Sequence, residues 1–530
     1  MRRVVVAAVM FTAACASAPP QVMPAPPAAA PATTDPAERS RLEARVAFAD
    51  ARMLEGCYDC LLDARKAYEE AAANRELRRT VVARLFETHL LLALREKELA
   101  LDSRASLDSA RAIQPELAKE LDAGTAIAIV EAIPPDVLGT SSADAAVFRR
   151  GHRPATGAVS EWRTWLQTSA LSATTRRYID LSLDCYFPST DASADVTPPP
   201  DVPPGTPPLL AYRMAVCPIV PDVLAQVRSD VPAFVETSYF LGRFALRTLT
   251  ERGPSRPLAL FAEARARFPT SSSMAYLQGA VYQVIESYDA AIRSYDDAIA
   301  ASPLLDSAWI GRVESLTLLA RHDEAIDAAT TLINADERLT EAYYWRARNW
   351  HATGNLAAAR ENIEIAKQRS NAGDVLTLAG IIEYDQRDLL PAERDLTAAR
   401  AADADGQNCM ARWYLGFVEE KRARPADAAE AFAAAGVCYG DDAALNEQER
   451  REVALNDELE ADYKAGRLAK CDRTMAEDLS QQSASAYNAA VNYLRTGNKT
   501  KASEFADLAA RDPQRVGKVE ELRKIIKFMR

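Results

Sequence analysis

Residues 272–303 read SSMAYLQGAVYQVIESYDAAIRSYDDAIAASP. Gly279 and Tyr282 lie on a first helical segment, Ser287 and Tyr288 on a turn, and Ala291, Tyr295 and Ala298 on a second segment ending at Ser302 and Pro303. Small side chains let two helices cross closely and the tyrosines fill the wider gaps. Pro303 stops the second helix because it has no amide hydrogen to give. The pattern returns down the chain. Ala291, Ala325, Ala359, Ala392 and Ala428 stand 34, 34, 33 and 36 residues apart. Two further series, Ala298, Leu332, Ala366, Ala399, Ala435 and Gly279, Val313, Ala347, Gly380, Gly416, keep the same steps. A period near 34 residues is the mark of a repeated pair of helices.

This G-x2-Y…A-x3-F…P spacing resembles the tetratricopeptide repeat (TPR). Gly416, Ala428, Phe432 and Ala435 match in the last unit, and Gly354, Leu356 and Ala359 match around the turn of the third. The resemblance implies an all-α fold, a right-handed α-solenoid of TPR-like helix pairs in which each unit packs on its neighbours. It also implies a concave groove lined by the first helix of each pair. Carried over position by position, that groove holds Tyr276 and Gln283, then Ile310 and Glu314, and then Tyr344, Arg348 and His351. Tyr384 and Asp385 follow, and last Trp413, Phe417 and Glu420. Aromatic anchors with a few charges among them suit a protein or peptide partner; the competing reading is that they cover the seam between helices.

Length and charge agree with such an array. At 530 residues the chain is long for one compact core, a limit that stacked units escape. A net charge of −12 argues against nucleic acid as a partner.

The N-terminus carries Arg2 and Arg3, then an apolar run from Val4 to Ala14, the pattern of a secretory signal peptide too short to span a bilayer. Thr12, Ala13, Ala14 and Cys15 resemble the lipobox of bacterial lipoproteins, in which the cysteine is lipidated; Thr12 stands where that family usually has Leu. The expected division is a signal peptide over 1–15, an Ala/Pro-rich tether over 16–36, degenerate TPR-like helices over 37–129 and an irregular helical region over 130–232 with a Pro-rich loop at 188–208. The regular array follows over 233–440, then C-terminal TPR-like units and a capping helix over 441–530, with 440–448 as an acidic loop. One C-terminal unit centres on Gly466, Leu468 and Cys471, another on Ala490, Tyr493 and Gly497. By the rule of the family it resembles, Ala16 in place of Asp after the cysteine lacks the inner-membrane retention signal, and the resemblance implies the outer membrane, facing the periplasm or the outside.

The chain has eight cysteines. Cys409 and Cys438 fall at neighbouring ends of one helix pair, Cys185 and Cys217 flank the Pro-rich loop, and Cys57 and Cys60 have the spacing of a redox motif or half a zinc site, with a small local disulfide as the default reading. Cys471 sits where other units have Ala, which suggests a buried thiol. No second CxxC and only four histidines are present, so neither a metal nor a cofactor is expected. GxSxG, HExxH, GxGxxG and GxxxxGK[ST] are all missing, and the expectation is a protein that is not an enzyme. Two functions remain open: a lipid-anchored scaffold of the bacterial cell envelope that grips a partner in its groove, or a ligand- or nutrient-binding outer-membrane lipoprotein. The second would use the 130–232 insertion with Trp162 and Trp165.

Overall fold

The computed structural model describes residues 35–135, 157–187, 202–217, 219–247, 253–403, 406–454, 457–465 and 470–528. Among these residues the regular structure is helical, with a single β-bridge between Val216 and Ile219. The first helices are α1 (Pro36–Glu55), α2 (Tyr58–Ala72), α3 (Arg75–Glu98), α4 (Arg104–Ile113) and α5 (Ala123–Ala132). Then come α6 (Ala158–Thr168), α7 (Ala173–Tyr186), α8 (Pro208–Ala215) and α9 (Pro221–Asp230). Helix pairs follow: α10 (Thr237–Arg247) with α11 (Ser255–Arg267), α12 (Ser272–Val284) with α13 (Tyr288–Ala301), and α14 (Asp306–Leu318) with α15 (His322–Ala335). The array continues through α16 (Thr340–Ala352) with α17 (Leu356–Arg369), α18 (Gly373–Asp385) with α19 (Leu389–Ala402), and α20 (Cys409–Lys421) with α21 (Pro425–Ala454). Last are α22 (Asp457–Lys464), α23 (Lys470–Arg495), α24 (Lys499–Ala509) and α25 (Val516–Phe528). Partners within each pair pack together and each pair packs on the next, so the chain is an all-α solenoid of TPR-like units.

The period has two structural causes. One is a volume exchange between the first and second helix of a unit. A Cβ added to Gly279 would sit 2.7 Å from Tyr295 Cε1; at Gly380, 2.5 Å from Leu396 Cγ; at Gly416, 2.6 Å from Phe432 Cδ1. Each glycine is matched, sixteen residues on, by a large side chain that fills its space. Where the first position is Val313 the partner shrinks to Ala329, and both are fully buried in one cluster. The second cause is the turn. Glu286, Ala320, Gly354, Arg387 and Ala423, spaced by the same period, all adopt positive φ to reverse the chain. After one of these turns Asn355 caps the next helix, its Oδ1 accepting from Ala358 N, and between units Asn408 caps α20, its Oδ1 accepting from Ala411 N.

The N-terminal helices share a core with the array. Cys57, Cys60 and Leu99 are buried in one cluster with Tyr212, Phe234, Phe261 and Met274, and Ser271 Oγ donates to Leu99 O at 2.6 Å. At the centre of this region lies a fully buried ionic network. The Arg95 guanidinium stacks 3.7 Å from the Tyr212 ring centroid and bonds Glu236, and Glu98 Oε2 at 3.1 Å. Tyr178 Oη donates to Glu98 Oε1 at 2.8 Å, and Arg213 Nε lies 3.5 Å from that same oxygen.

One C-terminal expectation differs from the structure. Residues 440–448 are not a loop; α21 runs unbroken from Pro425 to Ala454, because Ala443, Ala444, Leu445, Glu447 and Gln448 favour helix and no proline interrupts them. The expected pair about Gly497 is present, with Tyr493 of α23 packed beside Ala502 of α24 and Ala490 beside Ala509; α23 itself, at 26 residues, is longer than a repeat helix and packs along α21. Gly466, Leu468 and the Cys471 side chain lie outside the described residues, as do Cys15, the tether to residue 34 and most of the Pro-rich loop.

Candidate concave interface

The first helices of successive units, α12, α14, α16, α18 and α20, touch one another in order, which places their groove positions along one surface. At its beginning Tyr276 is half-buried, with its ring 5.8 Å from that of Tyr295. Gln283 is spent on structure, since its Oε1 accepts from Tyr295 Oη at 2.7 Å. Ile310 and Tyr344 are partly buried against the cluster formed by α15 to α18. The Tyr344 ring meets Trp345 edge-on at 5.3 Å, and the exposed Arg348 guanidinium lies 5.2 Å from the Trp345 ring centroid. His351 Nε2 reaches across to the next unit and bonds Asp385 Oδ2 at 2.7 Å.

The far end is aromatic. Tyr384 packs on Tyr414 at 5.9 Å and on Phe417 at 6.2 Å, Trp413 packs on Phe417 at 5.2 Å, and Phe417 stands on the buried Phe432 at 5.0 Å. All four rings above Phe432 are half-buried. Glu420 is engaged by Arg495 of α23. These aromatics therefore cover the seam between α18 and α20 and also leave part of each ring at the surface. Tyr414 was not reached from the repeat register; its adjacency to Trp413 was the available signal.

Carboxylates sit beside the tyrosines. Burial raises the Tyr276 hydroxyl above its ordinary value, and the charges of Glu314 and Glu341 raise it further. Tyr384 is pushed up by burial, then by Asp385 and Glu420. For Tyr344 burial is again the larger effect, with Arg348 opposing it. The surface thus offers flat apolar faces bordered by negative charge, with Arg348 and His351 at mid-span. Such an arrangement can hold side chains and backbone of a partner through ring faces and hydrogen bonds.

The insertion is built differently. Trp162 and Trp165 are packed against the N-terminal core with Leu166, Leu171 and Tyr178. Cysteines are paired in three disulfides, Cys57–Cys60, Cys185–Cys217 and Cys409–Cys438, with Cα separations of 4.8, 5.9 and 5.4 Å. Asp442 Oδ2 lies 3.1 Å from Cys409 Sγ, a grouping of metal-ligand type whose sulfurs are here consumed by the disulfide. Among the described residues no helix is long and apolar enough to cross a membrane.

No family profile matches this chain. No curated protein matches it either. Among solved structures it is similar to a tetratricopeptide repeat protein from Parabacteroides merdae, with 12% identity over 55% of this chain and 98% of that one, at a TM-score of 0.35. It is also similar to PilW, a type IV pilus biogenesis factor, with 17% identity over 46% and 93% at 0.33. A third is YrrB, a TPR protein with an unusual peptide-binding site, with 17% identity over 41% and 91% at 0.29.

Proposed function

We propose that this chain is a non-enzymatic, lipid-anchored scaffold of the bacterial cell envelope that holds a protein or peptide partner on the concave surface of α12 to α20. One observation carries the reading: the half-exposed ring cluster of Tyr384, Trp413, Tyr414 and Phe417, seated on Phe432. Rigid aromatics supply contact area at low entropic cost, and clusters of this kind dominate binding energies when a partner covers them. The anchor is supported by the sequence alone, through the basic start, the apolar run and Cys15. With lipid on Cys15 and a Pro-rich tether behind it, the array would be held near the outer membrane and free to turn.

The test is a crosslinking pulldown from intact envelopes with the wild-type chain and with a Tyr344→Ala, Trp413→Ala, Phe417→Ala chain. Recovery of a reproducible protein partner through residues 272–440, reduced at least tenfold in the triple variant with its helix content unchanged, is the expected result. A partner retained in full by the triple variant would remove the groove from the proposal. Cys15→Ala tests the anchor separately, through loss of the chain from the membrane fraction.

A further inference from the structure

Helices α21 and α23 are twice the length of the repeat helices and pack together as an antiparallel hairpin. The first half of α21 is the second helix of its own unit. Beyond it the hairpin projects away and its far end returns to the start of the array. Arg473, near the beginning of α23, pairs with Glu286 in the turn between α12 and α13. Arg495, at the end of the same helix, pairs with Glu420 near the end of α20. One helix of 26 residues therefore touches the first and the fifth unit, in each case beside the turn between a unit's two helices. The stretch between the two arginines is about 33 Å at 1.5 Å per residue. Stacked repeats curve and leave a concave side, and a helix that joins two ends of such an arc is a chord across its hollow side.

A second contact fixes the same end. Helix α11 begins after Pro254 and has no side-chain cap of its own. Asp462 of α22 supplies one from 207 residues away: its Oδ1 accepts from Ser255 Oγ at 2.6 Å and its Oδ2 from Ser255 N at 3.3 Å. Asp462 is buried there. A carboxylate on the first free amide of a helix is a favourable placement for charge and hydrogen bonding alike. This makes the junction a formed contact between matched groups.

We propose that the C-terminal hairpin closes the concave surface into a ring, and that Asp462 and Arg473 form its latch. In the latched chain the groove admits a narrow, extended segment along its axis and excludes a folded body. Release of the latch, with the Arg495 end and the α21 packing retained, opens the groove from the side. The inference rests on the concave surface being the working face. Its mechanical content can be tested without any partner.

The experiment uses the full chain with Cys15→Ser and Cys471→Ser and the three disulfides intact. One reporter cysteine is placed in the groove (Arg348→Cys) or, in a parallel chain, on the exposed outer helix α15 (Asp327→Cys). Each is labelled with N-ethylmaleimide and with a 10-kDa polyethylene glycol maleimide, and the ratio of the two rates is read. Ser255→Cys with Asp462→Cys locks the latch by oxidation; Asp462→Ala with Arg473→Ala releases it. In the locked chain the bulky-to-small ratio at 348 should be at least tenfold below that at 327. In the released chain the ratio at 348 should rise at least tenfold while that at 327 stays constant. Equal ratios at the two positions in the locked chain would overturn the ring. Exclusion that persists in the released chain would overturn the latch, and failure of the two introduced cysteines to crosslink would overturn the junction itself. A failed pulldown with a successful labelling result would count against the proposed partner surface alone.

Discussion

The exchange of volume between Gly416 and Phe432 makes a quantitative demand. A Cβ at Gly416 would lie 2.6 Å from Phe432 Cδ1 and 2.7 Å from Cε1, about 1 Å inside ordinary carbon contact. Phe432 is fully buried and braced by Phe417, so it has little room to retreat. Gly416→Val alone should therefore cost about 1–3 kcal/mol, the range for an overpacked core. Phe432→Ala alone removes a buried ring and should cost about 3–5 kcal/mol. Together the two substitutions rebuild the Val313 and Ala329 pairing that the second unit already uses. The valine then fills part of the space the ring has left. The double variant should cost less than Phe432→Ala by itself, so the coupling between the sites should be at least the cost of Gly416→Val alone, about 1–3 kcal/mol. Urea unfolding followed by far-ultraviolet circular dichroism measures it, compared at equal m-values so that all four chains unfold the same surface. Additive losses, equal to the sum of the singles within about 0.5 kcal/mol, would mean that the two residues do not share one space and that the period has another cause.

Three further outcomes are expected. Arg95→Met strands Glu98 and Glu236 in the core without their shared cation and should cost about 3–5 kcal/mol, read as a fall in the urea midpoint. Glu96 is buried, its Oε1 accepts from Ser106 Oγ at 2.9 Å, and burial above all raises its carboxyl from 4.5 to about 7. The native chain thus keeps a proton that the unfolded chain has lost, and stability falls as pH rises from 4.5 to 7, by about 3 kcal/mol from this group. Glu96→Gln should be near neutral at pH 4 and stabilising at pH 8; the same effect at both pH values would refute the assignment. Ala320 and Ala423 hold φ of 56° and 60°, where glycine avoids a penalty of about 1–2 kcal/mol but adds freedom to the unfolded chain. Each change to Gly should gain about 0.5–1 kcal/mol, and Gly354→Ala, at φ 81°, should lose about 1 kcal/mol by the same denaturation assay.

What could be read in the sequence depends on distance along the chain. Gly416 and Phe432 are sixteen residues apart, and so are the other pairs that set the unit, so a period search finds them. Gly354 and Gly497 mark their turns openly, whereas Glu286, Ala320, Arg387 and Ala423 take the same backbone conformation without a glycine. Their place in the period, and not their chemistry, locates them. The groove register assigned Tyr344, Tyr384, Trp413 and Phe417 to one groove but said nothing of how deeply each ring is covered, because that depends on the next unit's side chains. Past Gly440 the paired aspartates suggested a loop, and the helix formers behind them carried the helix on to Ala454. Arg95 could not be singled out: its partner Glu236 lies 141 residues on, and the run from Leu90 to Glu98 shows only charges at the end of an apolar helix.

The same division by distance separates what holds the units from what holds the ring. A unit is kept by buried side chains such as Phe432, each worth about 3–5 kcal/mol when truncated, and it leans only on its neighbours. The ring is closed by Glu286 with Arg473, whose side chain is 58% exposed, and an exposed ion pair contributes at most about 1 kcal/mol. Among the described residues a second hold is Ser255 on Asp462, where a hydrogen bond to a charged group contributes about 1.5–3 kcal/mol. Breaking both costs less than removing the core of one unit. The latch therefore lets go while every helix pair stays folded, and raised salt, which screens the exposed pair first, should speed labelling at position 348 before any loss of helix is seen.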